Sequence, residues 1–259
     1  MQRRLRNSGS GSITRRILFT ASLVLLVLGS SSFNVVRKRT VTFESKDGLP
    51  VTADEYIIAA SLPYIVLFHE QESSRGEFEN IARRLCKMDY NCLAVDLRNG
   101  GSKSFVSNET AKRCRALNCA VSSEQIEGDM EAAVQYAYRQ SKLPVILFGC
   151  SANGSLSLKL AHENDLVRAV VALSPGEYFK PTISIKDTIS GLKKPVFISS
   201  SRSEFSYVKE LASGVNEQYM TLYEPEMGEG GRGALAFSDE TRNSSEYWLA
   251  LLLFFKDLI

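Results

Sequence analysis

Ser151 is the residue with the clearest chemical potential. It stands in Val145-Ile146-Leu147-Phe148-Gly149-Cys150-Ser151-Ala152-Asn153-Gly154-Ser155, where an apolar run passes through small residues straight into a helix-forming stretch. A buried strand, a sharp turn and a helix are the setting of a nucleophile elbow, which lifts a hydroxyl above the sheet edge at a helix N-terminus. Such a turn demands small neighbours, and Gly149, Ala152 and Gly154 meet that demand. The backbone N–H of Ala152 would then face a developing oxyanion. In the usual G-x-S-x-G pattern a glycine follows two places after the serine; here that place holds Asn153, and Gly154 comes one later. An ordinary helix N-cap serine is the competing reading.

A serine hydroxyl is a weak nucleophile until a base takes its proton. The chain has two histidines to offer, His69 and His162. His162 lies eleven residues beyond Ser151 on the same predicted helix, roughly 16 Å away at about 1.5 Å per residue, too far for proton transfer. His69 ends the apolar run 64–68, which places it at the carboxyl edge of a central strand, the edge where Ser151 emerges. It is therefore the stand-in base, against the alternative of a hydrogen-bonded structural histidine.

The rest of the composition narrows the chemistry. Two histidines exclude a His-rich metal site, and five scattered cysteines without a repeated C-x-x-C do not make a structural zinc site. No metal and no cofactor are expected. A net charge of +2 gives no basic footprint, so no nucleic-acid partner is expected. The 259 residues, 44% of them hydrophobic, suffice for one α/β domain, or two small ones, with a real core.

Positioning Ser151 requires a sheet. Residues 40–44 and 51–58, joined through Lys46-Asp47-Gly48, read as a hairpin. The continuous apolar run 64–68 reads as a strand buried on both faces of a parallel sheet. Ser74-x-x-Glu77 reads as a capping box opening a helix with Phe78, Ile81, Leu85 and Met88 at helical spacing. A strand at 92–97, a polar loop to about residue 120, a helix through Met130, Ala133, Val134 and Ala137, and a strand at 144–148 lead to the elbow. Beyond the helix 151–162 come strands at 167–173, 195–199 and 218–223 and helices at 207–211 and 246–258, the Phe254-Phe255 pair reading as core. This alternation predicts parallel βαβ units covered on both faces, in a single domain over residues 40–259.

Residues 1–39 read differently. Arg3, Arg4, Arg6, Arg15 and Arg16 precede the apolar run 17–28, with no acid among residues 1–32. That is the plan of a signal peptide, or, extended over residues 17–36, of an N-terminal membrane anchor. Either implies an exported domain, periplasmic or extracellular, where disulfides form. Cys114 and Cys119 sit close enough in sequence to pair, Cys86 and Cys92 flank a predicted turn, and Cys150 reads as a buried thiol; two bridges and one free cysteine fit the odd count. Asn108-Glu109-Thr110 and Asn243-Ser244-Ser245 are glycosylation sequons in predicted surface loops. Gly228-Glu229-Gly230-Gly231-Arg232-Gly233 matches G-x-G-x-x-G but has no βαβ unit after it, and Gly100-Gly101-Ser102-Lys103 lacks phosphate-loop spacing.

From residue 40 onward the chain resembles the α/β-hydrolase superfamily, in particular its compact bacterial members related to dienelactone hydrolases. The resemblance is carried by Leu67-Phe68-His69-Glu70, Ser74-Arg75-Gly76-Glu77-Phe78, Leu93-Ala94-Val95-Asp96-Leu97-Arg98, the elbow, and Ser174-Pro175-Gly176-Glu177-Tyr178-Phe179. It implies a mostly parallel central sheet with helices on both faces and no large lid domain. It also implies oxyanion donors at Ala152 and near Glu70, which replaces the glycine of the family's usual His-Gly, and it makes His69 structural. The family's acid follows the strand here at 195–199, and Glu204 occupies that place; a solvated glutamate in a first helical turn is the alternative. The family's histidine follows the last strand, and Arg232 stands in its place. A guanidinium stays protonated and cannot accept the serine proton; it could pair with Glu204 or grip an anionic group bidentately.

Two functions follow. One is a hydrolase-fold protein whose triad has decayed and whose pocket binds a small ester-like or acid-like molecule, with Arg232 as the anion contact. The other is a working serine hydrolase of esterase or lactonase type that uses a substitute base such as His69.

Overall fold

Residues 35–258 are described by a computed structural model. Their strands are β1 (Arg37–Glu44), β2 (Pro50–Ile57), β3 (Tyr64–Phe68), β4 (Asn91–Val95), β5 (Ser102–Lys103), β6 (Val106–Ser107), β7 (Val145–Cys150), β8 (Val167–Leu173), β9 (Val196–Ser199) and β10 (Met220–Tyr223). The helices are α1 (Glu79–Cys86), α2 (Glu109–Ala116), α3 (Ser123–Ser141), α4 (Ser151–Glu163), α5 (Ile185–Thr188), α6 (Arg202–Ala212) and α7 (Ser244–Lys256). Short 3₁₀ turns fill Arg75–Phe78, Glu217–Tyr219 and Gly233–Phe237.

Eight strands form one sheet in the order β1-β2-β4-β3-β7-β8-β9-β10. β2 is antiparallel to both its neighbours, and the remaining pairs are parallel. Every residue of β3, β4 and β7 is buried, because helices cover both faces. On one face Val66, Phe68 and Leu147 pack with Met130 of α3, Leu156 of α4 and Leu211 of α6. On the other, Ile65, Leu67 and Phe148 pack with Leu85 of α1 and Trp248 and Leu251 of α7. The alternation of neighbouring residues between these clusters is the two-residue period of a strand expressed as a three-layer fold.

Strand order reverses at β3: the chain continues outward to β4, then returns to lay β7 on the other side. Carboxyl ends of parallel strands at such a switch point leave a crevice for ligands. Here they carry His69 and Glu70 after β3 and Ser151 after β7.

Several expectations need correcting. The polar stretch before residue 120 contains the β5–β6 hairpin and α2, whose N-cap Asn108 accepts from the Ala111 amide at 2.8 Å. That asparagine is fully buried and is no surface sequon. Ser74 caps a 3₁₀ turn by accepting from the Gly76 amide, and Glu77 turns away from it, so the capping box does not close. One disulfide forms, Cys114–Cys119, while Cys86, Cys92 and Cys150 are buried free thiols. β1 begins at Arg37, ahead of the boundary read at residue 40. Of the export segment read at residues 1–39, residues 1–34 lie outside the described residues; among those described, no helix is long and apolar enough to cross a membrane.

Candidate active site

Ser151 opens α4 with a positive φ of 54°, a strained backbone for a residue with a Cβ. The packing behind it enforces that turn. A Cβ on Gly149 would lie 2.7 Å from the Asn153 carbonyl oxygen, and one on Gly154 would lie 2.8 Å from the Gly149 oxygen. Glycines at these two positions let β7 and α4 touch. Asn153, in the place of the usual second glycine, donates from Nδ2 to the His69 carbonyl at 2.6 Å and accepts at Oδ1 from Asn99 at 3.1 Å. The departure from the motif is thus a pin tying the elbow to the end of β3. Ala152, in the first turn of α4, has an amide with no acceptor inside the helix, the requirement for an oxyanion donor.

The loop after β10 reaches back across this edge. Gly231 donates its amide to the Tyr247 hydroxyl at 3.2 Å, Gly233 donates to Ser174 Oγ at 3.0 Å, and Phe237 stacks edge-on against Phe148 of β7, Tyr247 and Trp248. Each aromatic contact contributes about 0.5–1.5 kcal/mol beyond its burial, enough together to fix the loop. Between these anchors Arg232 Nη2 donates to Ser151 Oγ at 3.1 Å and to the Tyr178 hydroxyl at 3.3 Å, while its Nε lies 3.3 Å from Glu204 Oε1. The other carboxylate oxygen of Glu204 accepts from Ser174 at 2.8 Å and from Ser201, the N-cap of α6, at 3.0 Å. Ser151, Arg232 and Glu204 therefore lie in the spatial order of a serine triad, with a guanidinium in the middle. Partial burial pulls the Arg232 pKa down, but Tyr178, Glu204 and Glu70 together raise it above the usual arginine value. The central group is a permanent donor.

His69 does not supply the missing base. It is fully buried; its Nδ1 bonds the Glu70 carbonyl at 2.6 Å, and its Nε2 accepts from the Leu97 amide at 3.0 Å and lies 3.1 Å from Asn108 Nδ2. A proton on Nδ1 satisfies all three contacts, so the ring is neutral, and burial depresses its pKa to about 4. It is a structural peg joining β3, the end of β4 and α2. His162 is exposed at the far end of α4.

The second oxyanion position is altered as well. The Glu70 amide donates to Glu77 Oε2 at 3.3 Å, so the carboxyl group of Glu77 occupies the backbone donor expected to face an oxyanion. Burial raises the Glu77 pKa to about 7, with Glu70 adding to the shift. The Glu70 side chain points at Gly233, where a Cβ would come within 2.0 Å of its Oε1; its own pKa is raised by burial, against the pull of Arg232. Among the described residues, no three of His, Cys, Asp and Glu converge on a point that would hold a metal ion.

Ser174 and Tyr178 are contacts that sequence reasoning left without a role. Ser174, at φ 51°, bridges Glu204 to the Arg232 loop, and Tyr178 holds the guanidinium and approaches the Tyr207 hydroxyl at 3.3 Å. Their signal was the turn Ser174-Pro175-Gly176 directly after a buried strand.

Comparison with known proteins agrees with the topology. The Pyrococcus furiosus esterase Pf2001 superposes with a TM-score of 0.64 at 16% identity, over 86% of this chain and 91% of that one. A dienelactone hydrolase from Anabaena variabilis gives 0.64 at 13%, over 85% and 98%, and Est1E from Butyrivibrio proteoclasticus gives 0.56 at 15%, over 72% and 88%. At such identities the likeness shows the fold, that of the α/β-hydrolases. No curated protein matches the sequence. The family model of the dienelactone hydrolase family matches residues 54–222, a span that runs from β2 through the elbow to β10, and the chain belongs to that family.

Proposed function

We propose that this chain is an exported member of its family that binds a small acid-like or ester-like molecule at Ser151 without appreciable hydrolysis. The observation that carries this reading is the Arg232–Ser151 hydrogen bond. In a working triad the serine O–H donates to an imidazole nitrogen, leaving an oxygen lone pair for attack. Here Arg232 donates to the serine oxygen, so a lone pair is occupied and the hydroxyl proton is left to point outward. The Ala152 amide, the Ser151 hydroxyl and the Arg232 guanidinium then present donors only, a set that suits a carboxylate or a carbonyl. Glu204 balances the arginine, as it would balance an imidazolium in a triad. Export is supported by the Cys114–Cys119 bridge and by the basic and apolar segments at residues 3–28.

One feature favours a working hydrolase: the left-handed backbone at Ser151 is retained, and strain of that kind is characteristic of functional positions. Kinetics separate the two readings. On p-nitrophenyl acetate, wild type and Ser151→Ala should hydrolyse at rates within a few-fold of each other. Arg232→His places an acceptor beside Ser151 and Glu204, and a gain near the lower end of the general-base range, about 10²-fold, is expected because the imidazole arm is shorter than the guanidinium it replaces. Wild-type turnover that vanishes in Ser151→Ala would overturn the non-hydrolytic reading.

A further inference from the structure

Arg232 also lines a groove of about 910 Å³, the size of a small-molecule site. Half of the residues lining it are charged, five of each sign, while Ile81, Phe237 and Trp248 are nearly buried in its walls. Such a surface gives neither an apolar body nor a lone ion a place of its own. It suits a molecule that carries both charges, wherever two unpaired lining groups of opposite sign stand side by side.

That arrangement occurs at Arg232. Glu70 stands where the family's glycine is usual, and its carboxylate lies against Gly233, the residue after Arg232, whose lack of a Cβ makes the room. The Arg232 charge is felt there, since it pulls the Glu70 carboxyl down against the rise that burial causes. Yet among the described residues neither Arg232 nor Lys103 comes within ion-pair distance of Glu70, and its carboxylate accepts no hydrogen bond. Glu204, Ser151 and Tyr178 hold the guanidinium by Nε and Nη2 and leave Nη1 without a partner among the described residues. Behind Glu70, Glu77 Oε2 takes the Glu70 amide, and Glu77 Oε1 is buried with no hydrogen-bond partner. Taking a carboxylate partly out of water without a donor costs free energy. Pairing Glu70 with Arg232 would relieve that cost, but the fold keeps the two apart in one wall.

We infer that the groove takes a short amino acid-like zwitterion, its carboxylate on Nη1 of Arg232 and its ammonium on Glu70. The inference rests on the acid-binding reading of Arg232 and adds a second contact to it. The ligand's ammonium gives Glu70 the donor that the protein withholds. A plain acid would instead bring its charge beside that of Glu70 with nothing between them.

A ligand-observed NMR titration at pH 8 tests this by comparing glycine, β-alanine and γ-aminobutyrate with acetate, propionate and butyrate, the acids of matching length, and with propylamine. At least one amino acid should bind wild type at least about tenfold tighter than its matching acid, the lower end for a hydrogen bond to a charged group, and propylamine should not saturate. Glu70→Gln, which keeps the size of the side chain, should bring that preference to within about twofold of unity and leave the acid bound no more weakly than before. No amino acid tighter than its matching acid, a tenfold preference that persists in Glu70→Gln, or propylamine bound as tightly as the amino acids would each overturn the inference. Acid binding in wild type that is lost in Arg232→Gln would, in any of those cases, leave the acid-binding reading standing. Failure of every acid and amino acid to bind would overturn both.

Discussion

Replacing Glu77 by Gln should uncover an acid sensitivity that the wild-type chain conceals. The Glu77 carboxyl is raised from 4.5 to about 7 by burial beneath the site. Its folded-state pKa lies above the unfolded one, so it contributes stability that is fully present below pH 4.5 and lost as pH rises through 7. His69 is shifted the other way, from 6.5 to about 4. Its contribution is present above pH 6.5 and lost as pH falls through 4. Each shift corresponds to about 3 kcal/mol, at about 1.4 kcal/mol per pH unit. Between pH 4.5 and 6.5 the two slopes are equal and opposite, and their sum is flat. Glu77→Gln removes one of them, leaving a loss of roughly 1.4 kcal/mol per unit as the pH is lowered through that window. Urea unfolding followed by circular dichroism at pH 5, 6 and 7, on wild type and variant, measures the difference directly, because every other titrating group is common to both. A difference that does not change with pH would refute the assignment of a buried, protonated Glu77.

The elbow gives two further outcomes. Asn153→Ala strands the His69 carbonyl and the Asn99 side chain and should cost about 1–3 kcal/mol in urea unfolding; a loss under about 0.5 kcal/mol would mean that the pin contributes nothing. Gly149→Ala drives a methyl to 2.7 Å from the Asn153 carbonyl oxygen, a backbone clash that should lower stability by about 1–3 kcal/mol or more, and an unchanged melting temperature would contradict the tight elbow.

What the sequence made legible follows from how each element is buried. β3 and β8 run over the residues read for them, since strands covered on both faces are almost wholly apolar, broken in β8 by Arg168 alone, with clear ends. The elbow was legible because its small residues are required by contact between backbones. α2 was not: Glu-Thr-Ala-Lys-Arg-Cys-Arg-Ala buries only Thr110, Ala111 and Cys114, too little for an apolar period, and its start depends on Asn108 reaching across to cap it. Likewise Glu77 has the spacing of a capping box, but the chain enters α1 through a 3₁₀ turn and the carboxylate turns to the Glu70 amide instead. The contact of Arg232 with Ser151 spans 81 positions, beyond any local pattern, and was reached through the resemblance. The pairing of Glu77 with the Glu70 amide left no trace in spacing or composition.

The central claim is that Ser151 faces a donor where a hydrolase has a base. Treatment with a fluorophosphonate, followed by intact mass, asks this directly, because the reagent reacts with serines whose proton is taken by a neighbour. Wild type should remain unmodified at Ser151. A stoichiometric adduct in wild type that is lost in Ser151→Ala would contradict the account.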